Sequence, residues 1–182
     1  MLHYIKFYLQ LCFLKVAPQD APASKNAFYV SIFSYFVVGT LVVSQEQGTT
    51  VGLFLSAVQT ALLIFLANLA LWIRKTPERY HQTMTALCAT GAIIGLIALP
   101  IMIFLAGGET GVTATGTDTD AFSLAYLSWL VLMLWEAYVV AHIIKHAMDI
   151  PLVAALAGAF IYLYLSFAIT LRVLKVIAMA MA

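Results

Sequence analysis

The residues richest in chemical potential fall on one stretch, Trp135-Glu136-Ala137-Tyr138, followed by His142, Lys145, His146 and Asp149. His142, His146 and Asp149 stand at i, i+4 and i+7, which puts them on one face of a helix. Two imidazoles four residues apart can reach one transition-metal ion, and a carboxylate can add a third ligand. That third ligand requires the helix to run through Asp149, and Pro151 stands where the helix is expected to have ended. Glu136 poses a different problem. It lies in an apolar run about ten residues before Lys145, about 15 Å along a helix. An ionised carboxylate at that depth must be protonated, paired, or turned toward water or other helices.

Two readings follow. In one, Glu136, His142, His146 and Asp149 form a proton relay or a metal site. In the other, Glu136 is hydrogen-bonded to Tyr162 or Thr90, which fall at similar depth, and the histidines sit at a helix end. The helix dipole favours imidazole and ammonium groups at a C-terminus. The second reading is the simpler and is the one expected. HExxH, CxxC, P-loop and glycine-fingerprint motifs are all absent. A bis-histidine haem needs a second histidine at matching depth, and His81 and His3 do not supply it. The expectation is therefore no catalytic residue, no cofactor and no metal, with His142, His146 and Asp149 the residual metal candidates. Gln59, Thr60 and Asn68 are further polar groups inside an apolar run. Such groups bond helix to helix, at roughly 0.6–2 kcal/mol each. Glu136, Asn68 and Gln59 are thus the candidates for ion handling or helix pairing, and Asn68 matches His142 in depth.

These residues must be positioned by an unusual chain. Of 182 residues, 64% are hydrophobic and 9% charged, where soluble domains carry roughly 25% charged. So few charges cannot clothe a water-soluble fold of this size. The net charge of +1 excludes the footprint of a nucleic-acid binder. Cys12 and Cys88 both lie in apolar stretches and read as small hydrophobes. A cleaved signal fits poorly, because Lys6 is the first charge and Gln10 interrupts the apolar run.

Five apolar runs can span a bilayer, at about 27–44, 51–73, 82–106, 122–145 and from Pro151 to about 171 or farther. Residues 1–16 are helical in pattern but too short to span. There His3, Lys6 and Gln10 share one side, and Ile5, Tyr8, Leu9 and Cys12 the other, the pattern of an amphipathic helix lying in the interface. A helix packed on the bundle is the alternative. Pro18 and Pro22 mark a linker. Gly91 and Gly95 form a small-xxx-small strip where another helix can approach, and Pro100 predicts a kink. The segment RKTPERYH is basic and suited to anionic headgroups, whereas 107–121 reads as an acidic, solvated loop.

The expected fold class is all-α: a polytopic membrane bundle of five transmembrane helices, 27–182, preceded by an interfacial amphipathic helix and linker, 1–26. Basic residues cluster at Lys6, Lys15 and Lys25, at Arg74, Lys75 and Arg79, and at Lys145. This predicts a cytoplasmic N-terminus in an inner membrane. Arg172 and Lys175 conflict with that count, unless the fifth segment re-enters or lies flat at its end.

Five closely spaced spans after an N-terminal segment, and the string Lys15-Val-Ala-Pro18-Gln19-Asp20-Ala-Pro22-Ala-Ser24, resemble bacterial members of the Yip domain family. The resemblance implies a helical membrane protein that acts through partners, with no catalytic residues to carry over. The expected function is that of a non-enzymatic scaffold, assembly or trafficking-type factor. Its partners are the lipid bilayer and either other proteins or further copies of itself, not nucleic acid. The alternatives are a small transporter or ion- or proton-conducting protein using Glu136 with His142 or His146, and a metal-dependent lipid enzyme using His142, His146 and Asp149.

Overall fold

The computed structural model describes residues 2–16, 24–109 and 118–181. Among the described residues there is no strand. The elements are α1 (Leu2–Cys12), α2 (Lys25–Gln47), α3 (Thr49–Ile73), α4 (Tyr80–Glu109), α5 (Asp118–Met148) and α6 (Leu152–Met181), with a 3₁₀ turn at Pro77–Arg79. The fold is an all-α polytopic helical bundle. Helices α2 to α6 are each long and apolar enough to cross a bilayer. Adjacent spans run in opposite directions. One end of the bundle therefore collects Lys25, Arg74, Lys75, Arg79 and Lys145 and is called the basic end.

Helix α4 is central. Met84, Ala86 and Cys88 are fully buried, with Leu87, Ala92, Ile94 and Ala98 nearly so. Its most extensive contact is with α2, followed by α5. The reason is the predicted small-residue strip. A Cβ on Gly91 would fall 2.7 Å from Tyr35 Cε2, and one on Gly95 would fall 2.8 Å from Val38 Cγ1. The hydrogens of these glycines therefore set how closely the two helices approach. Pro100 is exposed on the outside of α4, and the helix runs unbroken past it to Glu109.

Helices α2 and α3 are joined by Gly48 alone. The residues between the first two apolar runs, Gln45 to Thr50, are absorbed into the two helix ends except for Gly48. Gly48 takes φ 79 and ψ 161, a region almost exclusive to glycine. Its N–H donates to Ser44 O at 3.2 Å, and its carbonyl accepts from Gly52 N at 2.9 Å. Gly52 lies so close to α2 that a Cβ would meet Thr40 O at 3.1 Å. Ser56 then ties the hairpin by donating to Phe36 O at 2.8 Å.

Helix α1 is docked on α4. Tyr8, Leu11 and Cys12 are buried in the main core, whereas Leu9 and Phe13 are exposed. The buried stripe at i, i+3 and i+4 is rotated from the predicted one, which contained Leu9 and omitted Leu11. The bundle supplies an apolar floor, and α1 turns to meet it. Burial pushes the Cys12 thiol up to about 11, so it stays protonated and unreactive.

The fifth span takes the longer of its expected lengths. Helix α6 is continuous to Met181 and neither breaks nor turns back. At 1.5 Å per residue its 30 residues outrun a core of about 30 Å. Arg172 and Lys175, both exposed, fall where the helix reaches the far interface. Of the acidic segment, Glu109 ends α4 while Asp118 and Asp120 begin α5. The remaining calls there, and the Pro18–Pro22 linker, lie outside the described residues.

Candidate functional site within the membrane

At half the length of the spans, four helices bring polar groups together. Tyr35 of α2 and Tyr162 of α6 meet through their hydroxyls at 3.2 Å. Glu136 of α5 lies within electrostatic reach of both rings, and Cys88 of α4 is close to the same pair. Helix geometry explains the layer. Tyr35 lies ten residues into α2, Tyr162 ten into α6, and Glu136 twelve before the end of α5, so all three sit roughly 15–18 Å from the basic end.

The sequence-based partners of Glu136 are rearranged. Thr90 donates to its own helix, to Ala86 O at 2.8 Å and Leu87 O at 3.2 Å. Tyr162 is engaged with Tyr35 instead. Tyr35 is the member that sequence reasoning missed. Its signal was indirect: Gly91, the residue that admits its ring, was identified, but the ring's position across the seam was not. Chemically, two coupled phenols beside a carboxyl can pass or hold a proton. They can equally satisfy one another's hydrogen bonds in a medium without water.

Gln59 is a helix clamp. Its Nε2 donates to Thr170 Oγ1 at 2.8 Å, and its Oε1 accepts from Ser166 Oγ. Thr170 also donates to Ser166 O at 2.9 Å, which fixes its rotamer. This set joins α3 to α6 where few other contacts do so. Thr60 donates to Ser56 O at 2.7 Å, within its own helix. Asn68 is exposed on α3 and is not brought to His142. His142 lies instead beside the backbone of Val16, at the end of the α1 segment.

The histidines stack, with ring centroids 4.3 Å apart, and His146 Nδ1 lies 2.8 Å from His142 O. His142 Nε2 is buried without a hydrogen-bond partner among the described residues. Asp149 sits beyond the helix end with φ 50, so the i+7 register is lost there. Among the described residues no three His, Cys, Asp or Glu side chains gather as a metal site.

The end of α5 accounts for its own orphan carbonyls. Ile150 N donates to Lys145 O at 3.2 Å, closing a Schellman turn around left-handed Asp149. Arg79 Nη1 reaches His146 O at 3.2 Å and Ala147 O at 3.4 Å. Arg74 reaches Met148 O through Nε at 3.2 Å and Nη2 at 3.1 Å, and Asp149 O at 3.3 Å. Two cations of the predicted headgroup-binding loop are thus turned onto a helix terminus, where the dipole favours them. Lys75 stays exposed.

An apolar cavity of about 370 Å³ lies among α3, α4, α5 and α6 on the basic side, with Tyr162 in its wall. Glu136 lines neither this cavity nor the groove of about 760 Å³ between Tyr8 of α1, α2 and α4. No protein-family model matches the chain, and no curated protein or solved structure matches it either.

Proposed function

We propose that this chain is a non-enzymatic, multi-pass inner-membrane protein that acts as a scaffold, assembly or trafficking-type factor through intramembrane helix contacts. The basic end faces the cytoplasm, which the positive-inside rule supports. This reading keeps the bacterial Yip-type character that the N-terminal string suggests.

The observation that carries it is Tyr164. It is 71% exposed and twelve residues into α6, about 18 Å along the axis. A phenol facing hydrocarbon at that depth has no water to bond, and an unmet hydroxyl costs roughly 1–3 kcal/mol. A neighbouring protein helix supplies the missing acceptor. Helix α6 is also the least buried of the spans, so its outer face is open to such a neighbour. The test places a photo-crosslinking amino acid at Tyr164 in cells. A discrete crosslinked product, a partner or a second copy, is expected. Recovery of the uncrosslinked monomer alone would overturn the scaffold reading.

A second reading is a proton or ion conductor using Glu136, favoured by its position beside the Tyr35–Tyr162 pair. Glu136→Gln in proteoliposomes decides it: unchanged proton flux removes this reading.

A further inference from the structure

Helix α3 carries no charged residue from Thr49 to Ile73, yet its outward face is patterned. Phe54, Ala61 and Asn68 recur every seven residues, and Val58, Phe65 and Trp72 follow each of them by four. This alternation of threes and fours is the spacing of the seam between two helices that wind around each other. Phe54, Phe65 and Trp72 are 54%, 61% and 72% exposed. Ala61 and Asn68 are also exposed, and Val58 is half-buried. At 3.6 residues per turn Asn68 lies about half a turn around the axis from Gln59, which binds α6. The seam therefore faces away from α6, and no described element covers it.

Asn68 is out of place on a surface that meets hydrocarbon. Trp72 takes the headgroup level that tryptophan prefers, and Asn68 lies one turn, about 6 Å, on its hydrocarbon side. Helical Cβ atoms tilt toward the N-terminus, and α3 begins at the end opposite the basic one. The amide is thus aimed deeper into the bilayer and not back toward water. Among the described residues nothing hydrogen-bonds it, and lipid chains offer no substitute.

Chemistry selects the occupant. A carboxamide is donor and acceptor at once, so a second carboxamide satisfies it reciprocally. A closed pair of copies inserted in the same direction has its two-fold axis along the membrane normal. That axis preserves depth and sets each seam residue opposite itself. Ala61 then faces Ala61, where small side chains let the backbones approach, and Asn68 faces Asn68. One polar residue in an apolar seam also fixes register and the number of strands. At the head of the seam Arg74 is turned onto the end of α5. Exposed Lys75 is offset by exposed Glu78, so like charges do not hold two copies apart.

We propose that two copies of this chain pair along α3, with their Asn68 amides bonded to each other across the two-fold axis. The face is separate from the α6 face that carries Tyr164, so either can fail without the other. The test reconstitutes donor- and acceptor-labelled full chains in vesicles and dilutes them with lipid, and energy transfer gives the dissociation constant of the pair. Asn68→Leu should raise it about eight-fold, the factor for two interhelical bonds of average strength. Asn68→Gln, which keeps the amide, should stay closer to wild type. In cell membranes Ala61→Cys should give a disulfide-linked dimer on mild oxidation. Leu134→Cys, 63% exposed on α5 at similar depth, should not. The pairing is overturned by absent energy transfer in the wild type or by an unchanged constant in Asn68→Leu. It is overturned equally if Ala61→Cys links to a different protein, or links no better than Leu134→Cys. Should Asn68→Leu fail to fold, the Ala61→Cys crosslink decides alone.

Discussion

Replacing Gln59 by Leu removes both side-chain bonds between α3 and α6 at nearly constant volume. Interhelical hydrogen bonds in membranes average about 0.6 kcal/mol and reach about 1.7. Two bonds therefore set a range of about 1–3 kcal/mol. The structure points to its lower half. Thr170 already donates to Ser166 O, and Ser166 can turn to a carbonyl of its own helix, so neither hydroxyl is stranded when the amide is lost. The expected destabilisation is about 1–2 kcal/mol, measured as reversible unfolding in mixed micelles. A double-mutant cycle with Thr170→Val isolates the Gln59–Thr170 bond and should return a coupling near 0.6 kcal/mol. Because α6 otherwise rests mainly on α5, the loss should appear first as faster hydrogen exchange in α6. A coupling of zero, or a Gln59→Leu protein as stable as wild type, would refute the clamp.

Gly91→Leu should separate α2 from α4, because even its first carbon would fall 2.7 Å from the Tyr35 ring. A cost of about 1–3 kcal/mol is expected, with Tyr35–Tyr162 pairing lost as a change in the tyrosine absorption spectrum. Arg79→Ala should cost about 1–2 kcal/mol in thermal unfolding, because it leaves half-buried terminal carbonyls of α5 uncapped, and Arg74→Ala, at an exposed contact that water can replace, about 0.3–1 kcal/mol. Arg→Lys should restore only part of that at Arg74, where two nitrogens share one carbonyl. Cys12 should resist maleimide at neutral pH while α1 is docked. Its raised value of about 11 means that docking is stabilised below the ordinary thiol range and loses that stability as pH rises through 11. Alkylation that is rapid at pH 7.5 would show α1 to be undocked.

Much of this fold is legible in the sequence because hydrocarbon imposes few options. The five runs could only be helices, and the bounds of the first four match within a few residues, whereas α6 runs about ten residues past residue 171. Gly91 and Gly95 are readable because small size at a four-residue spacing has one physical use in a membrane. Gln59 is readable as helix glue because an amide in lipid must be bonded to something. The partners are harder to read. Tyr35 looks like an interchangeable aromatic until its hydroxyl is placed against one 127 residues away. Arg74 and Arg79 look like surface cations, because the carbonyls they cap belong to another helix. Helix α1 was misread by a fraction of a turn. An amphipathic wheel for eleven residues tolerates several faces, and the surface it meets decides among them. Asp149 shows the opposite case, since Pro151 already marks the helix end that removes it from the histidine face.

The single-residue joint at Gly48 has a consequence for how the molecule is built. Two helices with no slack between them meet as soon as both exist, because closing a loop this short requires almost no search. The seam between α3 and α6, in contrast, rests on pairs 107 and 111 positions apart. The first two spans can thus be in place while the chain is still being made, and the last one waits for every other span to be threaded. Quality control that removes half-finished copies would find the same telltale in each: Gln59 bare on an otherwise completed surface, with its amide still seeking Ser166 and Thr170.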